Sequence, residues 1–148
     1  MKRAGRYGFY AYAGHLMIAI TRVLRDRTRD RLTPLGIDPV HIGVLALLAD
    51  GSSRSQRELG RLLRIDRTTV VRLLDELEAM SFVERQTGAD RRVNSIRLTE
   101  LGHDFAKEVD RAVQAAQAEI LASLTPSEQT RLISMLQRVH DSLPPFEE

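Results

Sequence analysis

No cysteine occurs among the 148 residues, which excludes disulfides, thiolate catalysis, cysteine-ligated zinc and cysteine-based redox sensing. Tryptophan is missing too, and aromatics make up only 5% of the chain. Long apolar runs are lacking: none approaches the ~20 residues that span a bilayer. The basic Met1-Lys2-Arg3 is not followed by the uninterrupted apolar core and cleavage site of a signal peptide. The expectation is a cytoplasmic protein with no membrane partner. The phosphate-binding, dinucleotide, zinc-protease and nucleophile-elbow motifs are all absent. Asp75-Glu76 and Glu147-Glu148 have the character of a helix surface and a tail, so no enzyme is expected. His15, His41, His103 and His140 are dispersed, without an H-x-x-x-H pair, so neither a metal nor another cofactor is expected.

What is present suits one soluble globular domain, with 43% hydrophobic and 28% charged residues. A net charge of +2 says little; its distribution says more. Between residues 52 and 72, Arg54, Arg57, Arg61, Arg64, Arg67 and Arg72 face only Glu58 and Asp66, a basic stripe of the kind nucleic acids attract. Lysine occurs only at positions 2 and 107, so nearly every cation is an arginine, able to make bidentate contacts to bases and phosphates.

The most informative stretch is residues 55–99. Ser55 and Glu58 have capping-box spacing at a helix start, and that helix carries Leu59, Leu62 and Leu63 on one side. Arg64-Ile65-Asp66 is long enough only for a turn, and Asp66 is a strong N-cap for the next helix. There Val70, Leu73, Leu74, Leu77 and Met80 recur at helical spacing and predict a buried stripe. The opposite face opens with Arg67, Thr68 and Thr69 and continues with Arg72, hydroxyls and guanidiniums suited to phosphates and base edges. This is a helix-turn-helix. Residues 82–85 and 95–98 alternate like strands, Gly88 supplies a turn, and the tip 88–92 is polar. A hairpin after a helix-turn-helix predicts a winged helix.

The pattern resembles the MarR/SlyA family of bacterial transcription regulators. The resemblance rests on Asp66-Arg67-Thr68-Thr69-Val70, on Leu77-Glu78 followed by Val83-Glu84-Arg85, and on Asp90-Arg91-Arg92 followed by Arg97-Leu98-Thr99 and Gly102. The last run matches the family's D-x-R wing signature. It implies a mainly α fold with a small β-wing: a winged helix-turn-helix core at 38–98, flanked by dimerisation helices at 7–34 and 99–146, all within a single domain spanning 1–148. A short third strand before the first helix of the motif is also implied.

The flanks agree. A first long helix is predicted from about residue 11 to 31, with Leu16, Ile20, Val23 and Leu24 on its buried face and a charged end. The aromatic cluster Tyr7, Phe9, Tyr10 and Tyr12 fits packing in a subunit interface or beneath that helix, with the lining of a ligand pocket as the alternative. Asp38-Pro39 restarts an almost wholly apolar helix to about residue 49. Thr99 caps a helix to about residue 123, with Leu101, Phe105, Val109, Val113, Ala116, Ile120 and Leu124 at three- and four-residue steps. Thr125-Pro126-Ser127-Glu128 opens a last helix carrying Leu132, Ile133, Leu136, Val139 and Leu143. One small lobe cannot cover so much apolar surface, and a homodimer is the economical expectation.

In a two-fold dimer the recognition helices would enter successive major grooves of double-stranded DNA, about one helical turn apart, and read a pseudo-palindromic operator. Arg72 is then the expected guanine reader, with Thr68 and Thr69 on phosphates or bases beside Arg67. Arg91 and Arg92 would reach the flanking minor groove, oriented by Asp90, while Arg54 and Arg57 would touch the backbone. The resemblance also implies an effector cleft between the lobe and the dimerising helices. By position Arg22, His41 and Ile42 would lie near it, fitting a small aromatic or anionic effector of a repressor. The competing reading is a winged helix used for protein contacts or for nucleic-acid binding without operator specificity.

Overall fold

The computed structural model describes residues 12–87 and 94–144. Within them lie six α-helices and a three-stranded antiparallel sheet: α1 (Ala13–Leu32), α2 (Ile42–Leu48), β1 (Arg54–Ser55), α3 (Gln56–Leu63), α4 (Arg67–Ala79), β2 (Val83–Thr87), β3 (Asn94–Leu98), α5 (Glu100–Ile120) and α6 (Pro126–Asp141). The sheet order is β1-β3-β2. Val83 pairs with Leu98 and Arg85 with Ile96, while Arg54 pairs with Ile96 from the other side. The third strand implied by the resemblance is therefore present, although only two residues long. Gly88 and the rest of the wing tip lie outside the described residues, as do Tyr7, Phe9 and Tyr10.

The core is a single cluster. Val44, Leu45 and Leu48 of α2, Leu59 of α3, Val70, Leu73, Leu74 and Leu77 of α4, and Val83, Ile96 and Leu98 of the sheet are all buried in it. Each such side chain contributes roughly 2 kcal/mol of transfer free energy, so the α4 stripe alone fixes which way that helix faces. The predicted caps form as written. Ser55 Oγ accepts the Glu58 N–H at 3.2 Å while the Glu58 carboxylate accepts the Ser55 N–H at 2.8 Å. Thr125 and Glu128 do the same at the start of α6. Both turns leaving α3 and α4 pass through a left-handed residue, Arg64 at φ 56° and Ser81 at φ 63°. The Phe82 N–H returns to the Leu77 carbonyl at 2.9 Å and the Ser81 N–H to Glu78 at 2.8 Å, the paired bonds of a Schellman stop.

Three expectations about burial need correcting. Leu16, Ile20 and Val23 of α1 are 42%, 51% and 46% exposed, because within one chain α1 is buried only at its C-terminal end, through Thr28 and Leu32. Leu101, at the start of α5, and Leu62, on α3, are exposed as well. In both helices the lobe covers a narrower stripe than the sequence period offers. On α6 no residue is buried at all; Ile133, Leu136 and Val139 stand exposed, as does Leu143 just beyond its end.

The lobe joins α5 through a tight junction. Thr99 caps α5, its Oγ1 accepting the Gly102 N–H at 2.9 Å and donating to the Ser81 carbonyl at 2.7 Å. Its own N–H reaches the Phe82 carbonyl at 3.1 Å. Phe82 stacks on Phe105 with ring centroids 3.9 Å apart. Gly102 packs directly over Phe82: a Cβ there would lie 1.9 Å from the Phe82 carbonyl oxygen. Gly102→Ala should therefore cost about 3 kcal/mol through backbone displacement. Gly14→Ala, where a Cβ meets nothing within 4 Å, should cost nothing. Thermal or urea unfolding of the two variants checks the contrast.

Candidate nucleic-acid interface

Because Val70, Leu73, Leu74 and Leu77 point inward, the 3.6-residue period turns Arg67, Thr68, Val71, Arg72, Asp75 and Glu76 toward the outside. These six line a shallow groove of about 440 Å³ along α4. Asp66 caps the helix: its carboxylate accepts the Thr69 N–H at 3.0 Å and the Thr69 hydroxyl at 2.7 Å. Those bonds, the hydroxyl's first, hold the Asp66 carboxyl below its ordinary value. The cap has a consequence for Thr69, whose hydroxyl proton is spent inside the protein. Arg67 and Thr68 are exposed, as are Arg57 and Arg61 on α3. None of these three arginines forms an ion pair among the described residues.

The acids on α4 are neutralised from within. Arg85 of β2 pairs with both Asp75 and Glu78, fastening the ribbon to α4. Arg72 Nη1 donates to Glu76 Oε1 at 2.7 Å. The second oxygen, Glu76 Oε2, lies 2.7 Å from Nε2 of His41, which is 6% exposed. On the far side of the ring, His41 Nδ1 lies 3.2 Å from the Asp38 backbone nitrogen and 3.1 Å from its carbonyl oxygen, so both ring nitrogens are engaged. The bond from Arg72, followed by that from His41, holds the Glu76 carboxyl below its ordinary 4.5. What α4 presents outward is thus a cationic, hydroxyl-bearing first two turns, with its acids already paired.

The remaining expected site residues, and Arg97 beside them, are placed less favourably. Arg54 Nε donates to the Leu47 carbonyl at 2.9 Å and Nη2 to Asp50 at 3.0 Å, so its guanidinium braces the turn between α2 and β1. Arg97 pairs with Glu84 across the ribbon. Asp90, Arg91 and Arg92 lie outside the described residues. Of the residues assigned to an effector cleft, Arg22 is exposed on α1, Ile42 packs half-buried against the core, and His41 has both ring nitrogens engaged within the fold. Sequence reasoning missed the roles of Glu76 and Arg85. The Arg72/Glu76 pair has a readable i, i+4 spacing, whereas nothing in the chain announces a bond between residues 41 and 76.

A helix-turn-helix whose second helix exposes such a face, followed by an antiparallel ribbon and backed by a short strand, is a winged helix. A model of the MarR family matches residues 35–93. The reduced form of MarR from E. coli is 27% identical, with 90% of this chain and 97% of that one covered at a TM-score of 0.76. The Mycobacterium tuberculosis MarR family protein Rv2887 in complex with DNA is 28% identical over 86% of this chain and 97% of its own, TM-score 0.75. The same protein in complex with salicylic acid is 29% identical over 86% and 96%, TM-score 0.72. The chain thus has the winged-helix fold of MarR-family transcriptional regulators, and the family's model covers its DNA-binding lobe.

The Glu76 linkage has a definite pH signature. A carboxyl lowered in the folded state loses its stabilising contribution as the pH falls through that value, because the unfolded chain then binds the proton first. Glu76→Gln should be less stable than the wild type at pH 7, and the gap should close below about pH 4.5. Urea unfolding at pH 7 and pH 3.5 measures it; a gap that does not change with pH would refute the linkage.

Proposed function

We propose that the protein is a homodimeric, sequence-specific DNA-binding transcriptional regulator that uses α4 as its recognition helix. The observation that carries this reading is the outward face of α4, where Arg67, Thr68 and Arg72 project from the helix start while Asp75 and Glu78 are neutralised by Arg85. Inserted in a major groove, Arg72 supplies the planar fork that pairs with guanine O6 and N7. Arg67 and Thr68 lie at the helix N-terminus, where phosphates are favoured, and Arg57 contacts the backbone. Arg91 and Arg92 of the wing reach the neighbouring minor groove, with Asp90 orienting one of them. The DNA complex of Rv2887 supports this use of the fold.

The exposed apolar residues of α1 and α6 support a two-fold dimer. Leu16, Ile20 and Val23 on one helix and Ile133, Leu136 and Val139 on the other would otherwise face water. Two copies then place two α4 helices on one side of the duplex and select a pseudo-palindrome. The protein works as a cytoplasmic repressor that a small aromatic or anionic ligand releases, a reading supported by the salicylic acid complex of Rv2887. Arg22 is the cation available to such a ligand. The ligand acts by preferring one of two spacings of the recognition helices.

Selection from a random duplex pool, with Arg72→Ala in parallel, tests the proposal. The wild type should return a two-fold-related motif with half-sites about ten base pairs apart. The variant should lose preference at one symmetric position, a cost of about 1–3 kcal/mol. No motif from a folded dimer at moderate salt would favour a protein-binding or non-specific module instead. Sedimentation of Leu136→Asp should show a weakened dimer; an unchanged dimer would place the interface elsewhere.

A further inference from the structure

We infer that Glu76, anchored by the buried His41, is a positioning residue that sets the base specificity of Arg72; the inference rests on the reading of Arg72 as a base reader. An arginine on the exposed face of a helix samples many rotamers, and ordering it at a base edge costs that freedom. Here the side chain is held in advance. Glu76 lies one helical turn beyond Arg72 and takes its Nη1 at 2.7 Å. An exposed glutamate would be a loose holder, but its other oxygen is bound at 2.7 Å by His41, whose side chain is 7% exposed. The ring is fixed in turn by the Asp38 backbone at Nδ1. The orientation of the guanidinium is thereby keyed to the junction between α1 and α2.

The geometry also divides the donors. Arg72 spends Nη1 on Glu76 and keeps the Nε and Nη2 edge, the fork that matches guanine O6 and N7. The carboxylate has a second effect, because it repels phosphates and opposes any binding mode in which Arg72 merely neutralises the backbone. Glu76 therefore exchanges general affinity for discrimination. A residue needed only for folding would lower both together.

The experiment is selection from a random duplex DNA pool with the wild type, Arg72→Ala, Glu76→Ala, Glu76→Gln and the Arg72→Ala/Glu76→Ala double variant, each first shown to be folded by thermal unfolding. Binding to the recovered duplex and to one of scrambled sequence is then titrated. Glu76→Ala should lose discrimination at the symmetric position that Arg72→Ala degrades, by about threefold or more, while binding scrambled duplex about twofold more tightly. Glu76→Gln, which retains an acceptor without the charge, should fall between Glu76→Ala and the wild type. The double variant should discriminate no worse than Arg72→Ala alone. Base preference unchanged in Glu76→Ala, or binding weakened equally on both duplexes, overturns the inference while leaving Arg72 as the reader. If Arg72→Ala itself changes no base preference, the reading beneath it fails and the inference falls with it.

Discussion

The burial of one stripe on α4 is the constraint from which the rest follows. Val70, Leu73, Leu74 and Leu77 all lie in the core, so the helix cannot rotate without drawing leucines into water. At roughly 2 kcal/mol per side chain, even a modest rotation costs more than a surface ion pair returns. The orientation of Arg67, Thr68 and Arg72 is thus a by-product of hydrophobic packing. The first turns of the polar face, Arg67, Thr68 and Arg72, can be specialised for a ligand because the apolar stripe does most of the holding.

Two polar devices refine that arrangement. Arg85 ties the ribbon to the acids of α4, and His41 ties Glu76 to the start of α2. At the other end, the Ser81–Phe82 turn is clamped to α5 by Thr99 and by the close approach at Gly102. Direct contacts thereby join α4 to β2, and the turn after α4 to the start of α5.

Much of this was legible in the sequence, for local reasons. Caps at Ser55, Asp66, Thr99 and Thr125 are short-range hydrogen bonds between fixed residue types, and each formed as expected. The period of α4 was equally plain, since one lobe satisfies it. The face of α1 was not: an apolar period indicates that a surface wants cover without indicating which chain supplies it, and Leu16, Ile20 and Val23 are exposed in the single chain. At the candidate site, composition identified the cations but not their commitments. Arg54 and Thr69 are spent on Leu47, Asp50 and Asp66. The 35-residue separation of His41 from Glu76 leaves no pattern to find.

The proposed contact is between Arg72, on the exposed face of α4, and a guanine in the major groove. Methylation interference on a duplex recovered by selection probes that contact directly, because a methyl group on guanine N7 occupies the position the guanidinium would take. Methylation of one guanine in each half-site, the two about ten base pairs apart, should abolish binding by the wild type and have little effect on Arg72→Ala. Binding indifferent to N7 methylation throughout the duplex would contradict that contact.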